Sequence, residues 1–240
     1  MAGEERTYRR WIDSDLLTFQ VRIAESDLLI SAERPLPRTA ERALRSIRAD
    51  LEAYIVRDPE FERTLLPRDA LDGAPPIALQ MIAAARACNV GPMAAVAGAV
   101  AQAVGQALLA ETNQVIVENG GDIFLHTARP RTAAIYAGAS PLSGKLGLKV
   151  KRLNQPLGLC TSSGTVGPSL SFGKADAAIV LAESGPLADA AATALGNRLT
   201  SPADIEPALE AVSQIPGLYG LAAIIGHHLA AWGEIELVPL

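Results

Sequence analysis

The sequence predicts an α+β fold, one domain over residues 1–240 with a mostly antiparallel sheet packed with helices. Two observations carry the prediction. Extended runs come in adjacent pairs across short polar turns, at 18–32 and again at 218–238, as antiparallel hairpins do. A run at 39–57 keeps its apolar residues on one helical face, the pattern of a helix that covers a sheet. Neither a clear linker nor a solenoid-length repeat divides the chain.

The elements follow in order. Runs 18–24 and 27–32 flank the polar pair Glu25-Ser26 and form the first hairpin. Along 39–57, Ala43, Leu44, Ile47, Leu51, Tyr54 and Ile55 hold helical spacing until Pro59 ends the helix. Five prolines and glycines make 58–76 an irregular connection, and a second helix runs over 77–87. Pro92 suits a first helical turn, where its missing N–H costs nothing. The helix behind it carries small residues on every side, as a buried helix approached closely by other backbone does. Residues 114–118 read as a strand that stops at Asn119-Gly120-Gly121-Asp122, and 123–126, 132–137, 146–150 and 177–182 are further strands. Helices follow at 187–198 and 202–213, and 218–225 with 229–238 close the chain as a hairpin around Gly226-His227-His228.

Composition narrows the function classes. Hydrophobic residues make up 49% of the 240 and charged ones 20%, the balance of a folded soluble protein with a sizeable core. Aromatics are only 4%, so that core is aliphatic and alanine-rich. A net charge of −5 with no lysine/arginine stripe argues against nucleic acid as a partner. The two cysteines, Cys88 and Cys160, form no disulfide framework and no zinc spacing, and read as free thiols. The start, MAGEERTYRRW, is charged and lacks the apolar run of a signal peptide, and the apolar 94–110 stretch carries Gln102 and Gln106. The expectation is a cytoplasmic protein with no membrane partner and an oligomeric state the residues leave open.

Three short stretches carry chemistry. In Asn119-Gly120-Gly121-Asp122 the glycines let a ligand reach the backbone, and Asp122 can take a hydroxyl, an amine or a metal; the plain alternative is a hairpin turn. In CTSSGTVG, Thr161, Ser162, Ser163 and Gly164 offer hydroxyls and bare N–H groups that can hold phosphate oxygens; the alternative is a serine-rich surface loop. It is neither a P-loop nor a serine-hydrolase elbow, since the lysine of one and the spacing of the other are absent. In LADAAATAL, Asp189 and Thr193 stand four apart on one face of an alanine helix, hard oxygen donors of the kind Mg²⁺ takes; the alternative is an acid near a helix start. Asp176 is a weaker candidate, His227-His228 reads as exposed loop, and Cys160 as a small buried hydrophobe.

Taken in order, GPMAAVAGAVAQAVGQALL, VIVENGGDI, TSSG and ADAAATA resemble the ApbE superfamily, the FAD:protein FMN transferases. ENGGDIF, CTSSGTVG, FGKADA, ADAAATALGNR and AWGEIEL are similar, almost end to end, to one cytoplasmic ApbE-like subfamily. The resemblance implies an ApbE-like fold, FAD as ligand or substrate, and Mg²⁺. It also implies either FMN transfer to a threonine of a target protein or FAD hydrolysis. Carried over, Asp189 and Thr193 match the metal-binding pair, Asn119–Asp122 the flavin-side loop and the 161–164 segment the nucleotide-side loop.

The chain also departs from the family's pattern. Ala97-Gly98 stands where the family has Lys-Gly, and Gln102 where it has an aspartate. No H-x-x-D-P segment follows the SSG, and Pro168 stands where closer relatives place a histidine, so no base is evident near that loop. Two functions are therefore expected: a Mg²⁺-dependent flavin enzyme, or a non-catalytic binder of a flavin, nucleotide or other phosphorylated ligand.

Overall fold

A computed structural model describes residues 15–151, 154–164 and 173–240. Eleven strands are seen among them, all paired antiparallel. Eight form one sheet in the order β1-β2-β3-β4-β7-β8-β9-β10, and three form a second in the order β11-β6-β5. The larger sheet is built from β1 (Leu17–Ile23), β2 (Ser26–Ala32), β3 (Val115–Asn119), β4 (Asp122–His126), β7 (Leu157–Ser162), β8 (Ala177–Ala182), β9 (Leu218–Ile225) and β10 (His228–Gly233). The smaller is β5 (Arg131–Ala134), β6 (Leu146–Val150) and β11 (Glu236–Pro239). The α+β fold with its mostly antiparallel sheet is thus present.

Six helices accompany the sheets: α1 (Pro37–Arg57), α2 (Pro59–Arg63), α3 (Pro76–Cys88), α4 (Val96–Leu108), α5 (Gly185–Gly196) and α6 (Ile205–Ser213). Proline opens most of them. Pro37, Pro59, Pro76 and Pro186 sit in first turns, and Pro92 opens the 3-10 turn Pro92–Ala95 that leads into α4. A fixed φ and a missing N–H suit a first helical turn and suit nothing further in.

The central strands are covered on both faces, which explains their continuous apolar runs. On β3, Val115 and Val117 join the helix-side core and Ile116 the opposite one; on β8, Ala178 and Val180 face the helices while Ala177, Ile179 and Leu181 face away. This is the two-residue alternation of a strand, with apolar residues needed on both sides. The helix-side layer is α4 against β3 and β4 and α5 against β7 and β8, with α1 packed on β1 and α4, and α3 on α5. The other face takes Ile135, Leu148 and Val150 of the small sheet and its flank. No single helix among the described residues is long and apolar enough to cross a membrane, and α3 is bent 104° from the helix that follows Pro92.

Three sequence expectations change. Residues 58–76 contain the helix α2, where Phe61 packs edge-on to Tyr54 with ring centroids 5.0 Å apart. The closing hairpin exists, but its second arm is split: β10 stays on β9, and β11 leaves to pair with β6. Gly233, at a φ of 72°, sits at that break. The strand β7 was not expected at all, because the hydroxyl-rich 161–164 segment masks its apolar beginning.

Helices α4 and α5 cross almost backbone to backbone. A Cβ on Gly98 would lie 2.3 Å from the Gly185 carbonyl oxygen, and a Cβ on Gly185 would lie 2.4 Å from the Gly98 carbonyl oxygen. Neither can carry a side chain without driving the helices apart. Gly98→Ala is expected to destabilise the fold by about 1–3 kcal/mol, the usual cost of overpacking. Thermal unfolding checks this, and a melting temperature equal to that of the unaltered chain would show that the helices can separate freely.

Candidate functional site

Asn119 pairs with Asp122 across a two-residue turn, so NGGD is indeed the hairpin turn that its sequence also allowed. Gly120 and Gly121 have φ of 71° and 108°, a backbone open to glycine and strained for most other residues. The turn is fastened rather than loose. The Asn119 side-chain amide donates to the Ala97 carbonyl at 3.1 Å, and the Gly121 N–H donates to Glu118 Oε1 at 2.8 Å.

The β4–β7 pairing brings the second stretch to the same place. Ile123 opposes Leu159, so one step further Asp122 comes level with Cys160, and the Thr161 N–H and the Cys160 thiol both hydrogen-bond to its carboxyl. Thr161 and Ser162 are therefore the last residues of β7 and not a free loop; only Ser163 and Gly164 lie beyond it. Gly164 donates its N–H to the Ala175 carbonyl at 3.0 Å. It is the one expected site residue that does not line the cleft described next. Pro168 and the rest of 165–172 lie outside the described residues.

Helix α5 completes the wall. It starts at Gly185, so Asp189 is in its second turn and does not cap it. The carboxylate serves the neighbouring helix instead: Gly98, in the first turn of α4, donates its N–H to Asp189 Oδ2 at 2.9 Å. Gln102 returns the favour, since its Oε1 accepts the Gly185 N–H at 2.8 Å. Each helix thus satisfies an N-terminal donor of the other. Gln102, which the sequence marked only as a departure, has a structural task.

These pieces line one cleft of about 1660 Å³, with Asn119, Gly120, Gly121, Asp122, Thr161, Ser162, Ser163, Asp189 and Thr193 all on its surface. Among the lining residues missed from sequence are Asn197 and Glu118. Asn197 continues the four-residue spacing of Asp189 and Thr193 along α5, which was a readable signal. Glu118 is a buried acid in an apolar strand directly before the turn, a weaker one. The other candidates fall elsewhere. Asp176 accepts the Gly226 N–H at 2.7 Å and steadies the last hairpin. Cys160 is buried, as expected, and its sulfur lies 3.6 Å from the Gly185 carbonyl oxygen. None of the three histidines lines the cleft.

The cleft floor is acidic. Burial pushes the Asp122 carboxyl up from 3.8 to about 7, with the nearby Glu118 adding to the rise and the Cys160 and Thr161 hydrogen bonds opposing it. Asp189 is also pushed well above the carboxylate range, by burial first and by the Asp122 charge second, against the N–H groups of Gly98 and Ala97. The donor set fits Mg²⁺: a carboxylate and a hydroxyl one turn apart, with the buried Asp122 Oδ1 beside them lacking any hydrogen-bond partner. No cluster of three or more histidine, cysteine or acidic side chains with metal-holding geometry occurs among the described residues.

Comparison places this architecture among known proteins. The model of the family described as AbpE bacteria matches residues 9–216. A UPF0280 protein of Methanocella arvoryzae is 42% identical over 92% of this chain and 90% of its own. One from Methanosarcina barkeri is 44% identical over 83% and 79%. Among solved structures, the flavinyl transferase ApbE of Pseudomonas stutzeri superposes with a TM-score of 0.58 at 15% identity, over 92% of this chain and 95% of that one. The flavin transferase ApbE of Vibrio cholerae gives 0.54 at 12% identity, over 92% and 97%. At these identities the structures establish a shared ApbE-like fold.

The Asp122 carboxyl yields a stability prediction. The native chain holds this proton up to about pH 7, whereas the unfolded chain releases it near 3.8, so in metal-free buffer stability falls as pH rises between those values. Asp122→Asn removes the titration. Its melting temperature is expected to stay close to that of the unaltered chain near pH 3.8, and to exceed it modestly at pH 5 and by more at pH 8, all with a chelator present. Equal melting at pH 8 would show that Asp122 ionises in the fold at no cost.

Proposed function

The chain belongs to the AbpE bacteria family, and on that premise we propose that its cleft binds the diphosphate of a flavin dinucleotide together with Mg²⁺. The observation that carries the reading is the convergence of the NGGD turn, the end of β7 and the Asp189–Thr193 face on one cleft. Asp189 and Thr193 would hold the cation, whose contribution is to neutralise the diphosphate charge. The bare backbone of Gly120 and Gly121 and the hydroxyls of Thr161, Ser162 and Ser163 would take the ligand's oxygens. On this reading the protein moves FMN onto a threonine hydroxyl of a target protein, or onto water, with AMP as the leaving group. The ApbE proteins that share the fold carry the name flavin transferase, which supports the flavin.

A second reading has its own observation. An incoming hydroxyl must lose a proton, yet no histidine lines the cleft, and Ala97 stands at the position of the family's lysine. General-base catalysis typically contributes about 10²–10⁴-fold. Without it, the same cleft would bind a flavin or nucleotide and turn it over too slowly to matter.

One experiment separates the two. The purified protein is incubated with FAD and Mg²⁺, singly and together, with and without a threonine-bearing peptide, and melting temperature and AMP are both followed. Stabilisation by FAD is expected only when Mg²⁺ is also present, and is expected to disappear in Asp189→Asn. AMP release above the no-protein control assigns the transferase or hydrolase reading. Stabilisation without AMP assigns the binder. If no combination stabilises the protein, both readings fall.

A further inference from the structure

The two carboxyls at the cleft floor have an incomplete set of partners. Asp189 accepts the Gly98 N–H, and Asp122 is bonded by the Thr161 N–H and the Cys160 thiol. Yet Asp122 Oδ1 has no hydrogen-bond partner, in a residue only 8% exposed that lines the cleft. A buried carboxyl oxygen left like this is costly, and native structures seldom keep one without a purpose.

Among the described residues no side-chain cation acts on either carboxyl. The basic residues lining the cleft are Arg22, Arg48 and Arg63, from β1, α1 and α2. Arg22 is spent on Asp27 at 2.9 Å, and Arg48 on Glu25 and Glu52, each at 2.8 Å. The only groups that draw the two carboxyls down are backbone N–H groups and the Cys160 thiol. A floor with two acids, an orphaned oxygen and no positive side chain is poor ground for a diphosphate and good ground for a hard divalent cation.

We infer that Asp122 is a direct ligand, with Asp189, of a divalent cation held at the cleft floor before any nucleotide arrives. The inference rests on the reading of a cation site at Asp189 and Thr193 and adds two things to it. It moves Asp122 from the flavin-holding turn to the metal, and it makes the ion a part of the empty protein. Nucleotide then meets a floor whose charge has already been reversed. The tight hairpin has a reason within this arrangement: the two-glycine turn and its Asn119 and Glu118 fastenings fix where Asp122 begins β4.

The test uses Mn²⁺ as the probe, on the full chain with no flavin, with bound ion counted by electron paramagnetic resonance. One Mn²⁺ per chain is expected, and Asp122→Asn and Asp189→Asn are each expected to weaken it tenfold or more. Circular dichroism and melting of both variants verify that they fold, and Glu206→Gln, an exposed acid on α6 away from the cleft, serves as the reference for removal of an unrelated carboxylate. Undiminished Mn²⁺ binding by Asp122→Asn, with loss in Asp189→Asn, would overturn the role of Asp122 and leave the cation site standing. Binding that appears only when FAD is added would overturn the claim that the ion precedes the nucleotide. Absence of Mn²⁺ binding with and without FAD, the two acids simply sharing a proton, would overturn this inference and the Mg²⁺ reading together.

Discussion

The contact between α4 and α5 is the constraint on which the site depends. Two glycines let the helices touch carbonyl to Cα, and at that distance each helix's first turn lies within reach of the other's side chains. Gln102 and Asp189 use that reach, each accepting an N–H from the opposite helix. Bulkier residues at the crossing would remove the close contact and both hydrogen bonds at once. The same geometry turns Asp189 toward the cleft and sets Ala97 where Asn119 can grip it. Crossing, caps and cleft floor are one arrangement.

Gln102 shows why a departure from a family's pattern has to be judged in three dimensions. A second carboxylate at that place would sit beside Asp189 in a site already rich in buried acid, while a neutral amide accepts the same N–H without adding charge. The chain keeps two buried carboxyls where they face the cleft and uses an amide where the partner is only backbone. Burying an acid costs far more than burying an amide unless something compensates it. The distribution of charge along the crossing therefore separates what holds the fold from what faces a ligand.

The sheet does the long-range work. Residues 119–122 and 161–163 are about forty positions apart, and the antiparallel register of β4 on β7 sets them side by side at one end of the sheet. Because side chains alternate along each strand, that register also decides that Asp122 points to the helix-covered side and not to the small sheet. A slip by one residue would turn the carboxyl away from Asp189.

By itself the sequence determined the fold class, most of the elements and the three chemical stretches. These depend on local signals: apolar periodicity, prolines at helix starts, an Asn-Gly turn, an oxygen pair four residues apart on alanine. It also determined the family, through stretches such as ENGGDIF and ADAAATA. It could not reveal β7, whose apolar residues are only Leu157, Leu159 and Cys160 before the hydroxyls begin, nor the departure of β11 to a second sheet, since partner choice is not a local property. Whether NGGD was a turn or a site was undecidable from composition, and the structure makes it both. Only the tertiary structure decided that Asp189 caps a neighbouring helix, that Gln102 answers it, and that Asp122 stands buried with an unpaired oxygen. Each of those facts comes from groups brought together across the chain, and burial and charge act through space while the sequence records only order.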